Sequence, residues 1–288
     1  MKKMRTGVIG VGFIGAAHIE ALRRLGYVEV VALAAARDAE KKAEALFVPK
    51  GYADYREMID REALDAVHIC TPNSMHYEMA MYAMEKGVSV LCEKPLTVTA
   101  EEARKLRDYA REHSIVTSVN FNLRLNPQVV QMKEMVRAGD VGAIRSVHGS
   151  YLQDWLFYDT DYSWRLDPKL SGQSCAFADI GSHWIDMVET IIGQKAVEVF
   201  ADFETMHKTR KKPLKPIDTY SGMALRPEDY QEIPVSVEDY CTVLFHFDGG
   251  AKGVCTISQA YAGRKNQTII SVSGSKASLH WDSELGSE

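Results

Sequence analysis

Six residues near the start of the chain, Gly10-Val11-Gly12-Phe13-Ile14-Gly15, constrain its fold more than any other stretch. They follow an apolar run at residues 6–9 and open a helical pattern at 14–25, so a strand must turn into a helix across three glycines. Each glycine then has its own reason. The first permits the tight turn, the second lets backbone amides approach a pyrophosphate, and the third lets helix and strand pack closely. The phosphates would lie at the positive end of the helix. Gly10, Gly12, Phe13, Ile14 and Gly15 are therefore candidate dinucleotide-binding residues.

The pattern continues beyond this turn. Apolar, β-branched runs at 28–34, 66–70, 88–92 and 115–119 alternate with helical patterns at 39–46, 74–86 and 100–112. Thr99, with Glu102 three residues on, opens the last of these as a capping box. This alternation predicts a doubly wound α/β domain with a parallel Rossmann sheet over residues 1–121. From 122 to 288 the texture changes. Helices at 127–138 and ending near Gly193 flank an aromatic segment, and strand patterns follow at 197–203, 240–247, 253–259, 268–273 and 277–281. These predict an α+β domain with a mostly antiparallel open sheet, expected to bind substrate and to carry oligomerisation into a homodimer or homotetramer. The sequence stops soon after the last strand pattern with nothing to cover a sheet edge, so this domain is expected to be truncated at its C-terminus.

Composition narrows the partners. With 46% hydrophobic and 25% charged residues the chain is an ordinary globular one. Its formal charge of -5 offers no general attraction for nucleic acid or anionic lipid, which leaves a small molecule. Lys208, Arg210, Lys211, Lys212 and Lys215 crowd a polar stretch at 207–237, but no aromatic platform interleaves them, and it reads as a solvated insertion. The N-terminal apolar run is broken by glycines within a dozen residues, so neither a signal peptide nor a membrane span is expected. Five cysteines with no CxxC pair suggest buried thiols in a reducing, cytoplasmic setting, without disulfide or zinc.

Three further clusters carry chemistry. The second strand ends in Arg37-Asp38 without a carboxylate at its tip. Arg37 suits the 2′-phosphate of NADP, whereas Asp38 either serves the ribose of NAD or caps the next helix; the cofactor is expected to be NAD(P), with Arg37 favouring NADP. Thr71-Pro72-Asn73, with His76, and Glu93-Lys94-Pro95 follow the third and fourth strands, at the carboxyl edge where open parallel sheets bind ligands. Lys94, set between an acid and a proline that permits a cis bond, reads either as a lysine held firmly at this edge or as a solvated loop lysine. Asp179, His183 and Asp186 share one helix face, so that a carboxylate orients an imidazole base.

The chain resembles the glucose-fructose oxidoreductase/inositol dehydrogenase (Gfo/Idh/MocA) group of NAD(P)-dependent enzymes. The resemblance runs through GVIGVGFIG (7–15), TPNSMH (71–76), EKP (93–95), NFNLR (120–124), WRLDP (164–168) and DIGSHWID (179–186), in the family's order. It implies that Lys94 and His183 stand beside the nicotinamide, with Asp179 assisting, in a cleft between the domains, and that the substrate is a sugar, a cyclitol or a derivative. The sequence departs from the pattern in two places. Ser171-Gly172-Gln173-Ser174-Cys175 replaces the usual glycine-rich stretch, and the second strand lacks its common acid. The expected reaction is hydride transfer at a hydroxyl-bearing carbon. His183 would take the proton and Lys94 would bind the oxygen, with Arg124, Trp164, Arg165 and Asp186 in the pocket wall. Two alternatives are a catalytically silent dinucleotide-sensing regulator of the same fold and an enzyme reducing a non-sugar carbonyl or imine.

Overall fold

The computed structural model describes residues 3–215 and 226–285. Its first half alternates β1 (Met4–Ile9), α1 (Phe13–Arg24), β2 (Val28–Ala34), α2 (Ala39–Ala45), β3 (Gly51–Tyr52), α3 (Tyr55–Arg61), β4 (Ala66–Ile69), α4 (His76–Glu85), β5 (Ser89–Cys92), α5 (Ala100–Glu112) and β6 (Thr117–Val119). The strands form one parallel sheet in the order β3-β2-β1-β4-β5-β6. Both faces are covered, which is why its strands read as continuous apolar runs: Val8 packs with Ile19 and Leu22 on one side, while Ile9 packs with Met58 and Val67 on the other. Strand order reverses at β1 and β4, so the loops after these two strands flank the topological switch point. This compact unit runs to Asn120 and adds Lys169–Gly172.

The remaining elements are α6 (Pro127–Ala138), β7 (Ile144–Leu152), α7 (Pro168–Ser171), a π-helical turn Phe177–Gly181, α8 (Ser182–Ile192), β8 (Ala196–Glu204), β9 (Thr209–Pro213), β10 (Tyr230–Pro234), β11 (Tyr240–Phe247), β12 (Lys252–Ser258), β13 (Gln267–Gly274) and β14 (Ser278–Asp282). The second unit comprises Phe121–Pro168 and the chain from Gln173 onward. Its six-stranded sheet has the order β14-β13-β7-β12-β11-β8, antiparallel throughout except where β7 pairs with β12. Trp184, Met187 and Ile191 of α8 pack on Val147, Val243, Cys255 and Ile270 to build its core. Pro127 in the first turn, Asn126 accepting from the Gln128 amide at 3.0 Å, and Gly139 at φ 82° delimit α6.

The structure departs from the sequence reading in particular places. Strand β7, within the aromatic segment, is an unpredicted central strand, and β3 with α3 was likewise unforeseen. The stretch at 207–237 is not simply solvated: β9 and β10 pair within it, and Arg210 is 1% exposed; residues 216–225 of that stretch lie outside the described residues. All five cysteines are buried free thiols. Among the described residues, no helix is long and apolar enough to cross a membrane.

Candidate active site

The glycine turn is shaped by close contacts. A Cβ on Gly10, which sits at φ +83°, would lie 2.8 Å from the Cys70 carbonyl, and one on Gly15 would lie 2.0 Å from the Gly10 oxygen. Gly12 differs, because a Cβ there meets nothing within 4 Å. Helix α1 also starts with no side-chain cap and no acidic residue in its first turn. A bare, positively polarised helix end behind an open glycine fits a pyrophosphate. Phe13 is 72% exposed beside it, while Ile14 packs inward. At the tip of β2, Arg37 and Asp38 are both exposed; Asp38 is the N-cap of α2 at φ 52°, yet its side chain makes no capping hydrogen bond.

The loops after β4 and β5 are stapled together. His76 is fully buried, with Nδ1 2.9 Å from the Pro95 oxygen and Nε2 2.8 Å from the Thr71 oxygen. Burial holds its pKa below the ordinary imidazole value against the pull of those carbonyls. Whichever nitrogen carries the proton of the neutral ring, both face backbone oxygens, so His76 lies between the two loops rather than presenting a free edge to a ligand. Pro72 leads into a single 3-10 turn, and Asn73 is buried, donating to the Ser171 oxygen at 3.1 Å. Glu93 is buried too and accepts from the Lys94 amide at 3.2 Å; the Lys94-Pro95 bond is cis. Burial pushes the Glu93 carboxyl up, but hydrogen bonds from His18 and Asn120 leave it below the usual carboxylate range.

In the second unit the π-helical turn carries Asp179 and leads directly into α8 with His183. Sequence reading placed one regular helix there; a single π turn precedes it instead, and such turns recur at functional sites. Glu238 anchors the start of this turn, accepting from the Cys175 and Phe177 amides at 3.0 Å each and from Ser174 Oγ at 2.7 Å. Asp179 is buried and gripped on both oxygens: Arg165 Nε lies 3.0 Å from Oδ1, and Gln259 Nε2 donates to Oδ2 at 2.8 Å. The Arg165 guanidinium stacks 4.6 Å from the Trp164 ring centroid. His183 is buried with the Phe121 ring edge-on at 5.6 Å. Arg124 covers Phe121 at 5.9 Å and pairs with Asp186 through two hydrogen bonds, that from Nε measuring 2.8 Å. Asp186 is thus matched to Arg124, and Asp179 to Arg165 and Gln259.

Gln259, Glu238 and Phe121 were absent from the sequence-derived site. A glutamine or glutamate at a strand end reads as ordinary surface polarity, and only tertiary packing shows where it is directed. An apolar hollow of about 600 Å³ beside β6, lined by Met84, Val90, Leu106 and Ile115 among others, contains none of the candidate residues. Among the described residues, no group of three or more His, Cys, Asp or Glu is placed to hold a metal.

Comparison with known proteins shows the family and the fold. The model of the oxidoreductase family with an NAD-binding Rossmann fold matches residues 4–121, and the GFO/IDH/MocA C-terminal domain matches 129–280. Levoglucosan dehydrogenase of Pseudarthrobacter phenanthrenivorans is 31% identical over all of this chain and 76% of its own length. Myo-inositol 2-dehydrogenase of Thermotoga maritima is 27% identical, over 97% of this chain and 75% of its own. Among solved structures, an oxidoreductase domain protein from Kribbella flavida superposes with a TM-score of 0.89 at 35% identity, covering 99% of this chain and 75% of that one. A levoglucosan dehydrogenase in complex with NADH and L-sorbose gives 0.87 at 31%, covering 99% and 74%. The chain belongs to the GFO/IDH/MocA family of oxidoreductases, dehydrogenases built on an NAD-binding Rossmann fold.

Proposed function

We propose that the protein moves a hydride between a nicotinamide dinucleotide and a hydroxyl-bearing carbon of a sugar, cyclitol or related polyol, with His183 as the base, Asp179 orienting it and Lys94 holding the reacting oxygen. The observation that carries this is the buried Asp179 carboxylate, fixed on both oxygens one turn ahead of a buried histidine. The carbinol carbon gives up hydride only as its hydroxyl loses a proton, so the site needs a base near neutral pH and a cation for the developing negative charge on oxygen. His183 takes that proton, and Lys94 stabilises the oxygen. The dinucleotide, when bound, supplies the hydride acceptor. Gly10, Gly12, Phe13, Ile14 and Gly15 hold its pyrophosphate, and Thr71, Pro72, Asn73 and Glu93 shape the loops beside it. Arg37 favours the 2′-phosphate of NADP.

Arg124, Trp164, Arg165 and Asp186 bind the polyol. Levoglucosan and myo-inositol, named for the two relatives, are both cyclic polyols, which supports that substrate class. The exposed side chains of Phe200 and Leu244, paired across β8 and β11 on the sheet of the second unit, support self-association through that sheet as a homodimer or homotetramer. Reduced, buried thiols fit a cytoplasmic setting. The test follows nicotinamide absorbance with NAD and NADP against levoglucosan, myo-inositol, D-xylose and D-glucose, with dinucleotide binding measured in parallel. Turnover of at least one polyol, faster with NADP, is expected. Binding with no turnover on any of them would favour the silent regulator.

A further inference from the structure

We infer that His18 and Glu93 are positioning residues that aim Lys94 by tying the helix behind the glycine turn to the strand end that carries the lysine. This rests on the reading of Lys94 given above. His18, on α1, places Nε2 3.0 Å from Glu93 Oε1, and Asn120 Nδ2 donates to that same oxygen at 2.6 Å. The second carboxylate oxygen accepts the Lys94 amide at 3.2 Å. Behind His18, its Nδ1 lies 2.9 Å from Nδ1 of His68 on β4. The strand ends are themselves in register, through Glu93 N–H to the Ile69 oxygen at 2.9 Å and Asn120 N–H to the Cys92 oxygen at 2.8 Å.

With Glu93 ionised, His18 Nε2–H donates to it, and the facing Nδ1 atoms of His18 and His68 share one proton between them. Polar side chains buried in a sheet core cost desolvation that aliphatic residues would avoid, and this network ends on the peptide of Lys94. On the other flank, His76 holds the Pro95 oxygen at 2.9 Å. Buried side chains, Glu93 and His76, therefore meet the backbone on both sides of Lys94, and Glu93 is tied through His18 to the helix that would bear the pyrophosphate.

Glu93→Gln preserves volume and offers an oxygen to His18 and Asn120, but turns an N–H₂ toward the Lys94 amide. On a polyol that the wild type oxidises, we expect kcat to fall by up to ~10²-fold, the scale of an ångström-level misplacement, with polyol KM and NADH Kd nearly unchanged. In a Lys94→Met background Glu93→Gln should cost nothing further; additive losses, or an equal loss of NADH binding, would overturn the inference. His18→Leu should mimic Glu93→Gln and His18→Gln should recover most of the rate, which keeps the test open should Glu93→Gln fail to fold. One readout needs no turnover. In ¹³C-dimethylated protein, NADH should shift the Lys94 resonance, assigned through Lys94→Arg, and Glu93→Gln should abolish that shift. An undiminished shift in Glu93→Gln rejects the positioning role alone. A wild type that shows the shift but oxidises no polyol rejects the proposed reaction alone, and absence of the shift in wild type rejects both.

Discussion

Arg165 Nε lies 3.0 Å from Asp179 Oδ1, so the carboxylate in the π-helical turn faces a guanidinium that is itself stacked on Trp164. The aspartate side chain is 11% exposed and the arginine 26%, so solvent screens the pair only in part. Arg165→Met should lower stability by about 1–3 kcal/mol, below the cost of breaking a fully buried pair. Asp179→Asn in the same chain should restore part of that loss, because it removes the charge left behind. Urea midpoints of the two variants check this, and an unchanged midpoint for Arg165→Met would show that the pair carries no stability.

The glycine turn separates binding from folding. Gly12→Ala adds a methyl group where nothing lies within 4 Å, so the melting temperature should hold while NADH affinity falls about tenfold or more. Gly15→Ala places a Cβ 2.0 Å from the Gly10 oxygen and should destabilise the fold itself. Calorimetric titration and thermal melts of both variants distinguish the two outcomes. Wild-type affinity in Gly12→Ala would remove that glycine from the phosphate site.

The buried histidines make stability depend on pH. Burial, aided by nearby His18, lowers the His68 pKa to about 4 from an ordinary 6.5. Between those values the unfolded chain binds a proton that the folded one refuses, so stability falls as pH drops from about 6.5 to about 4 and this contribution is exhausted below. Its size is at most about 3 kcal/mol. Glu93, held below the usual carboxylate range, loses stability in the same direction at the acidic end. His68→Gln should flatten the slope of unfolding free energy between pH 7 and 4, and an unchanged slope would assign the effect elsewhere.

Arg210 contradicts the expectation of a solvated basic stretch in a testable way. Its side chain is wholly buried, donating to the backbone oxygens of Leu156 and Tyr158 at 2.8 Å and lying 3.3 Å from Asp239. Arg210→Met strands a buried carboxylate and three carbonyls, the third being the Asp161 oxygen at 3.2 Å, and should cost about 3–5 kcal/mol. A loss below 1 kcal/mol in denaturant unfolding would mean that the pair is replaceable by packing.

Periodicity made the first sheet legible because its strands are buried on both faces, and α5 starts where a local rule puts it: Thr99 Oγ1 accepts the Glu102 amide at 3.2 Å, one half of the capping box. Strand β7 escaped because Gly149 interrupts its alternation, and that glycine answers to tertiary packing. A Cβ there would lie 1.9 Å from the Ile269 oxygen and 3.1 Å from Trp184 Nε1, whose indole donates to that oxygen at 2.9 Å. In the site, the glycine turn, the lysine loop and the histidine helix were readable as motifs. Gln259, Glu238 and the His18–Glu93–Asn120 network were not, because their partners lie about 30 to 100 residues away in sequence and leave no local spacing to detect.

The central claim, that His183 and Lys94 perform the chemistry, is tested most directly by single-turnover hydride transfer in His183→Ala and Lys94→Met, with NADH affinity measured on the same samples. Loss of roughly 10²- to 10⁴-fold in rate in His183→Ala is expected, the scale of general acid–base catalysis, together with a comparable loss in Lys94→Met and near-native dinucleotide binding in both. A rate unchanged in either variant would contradict the role assigned to that residue.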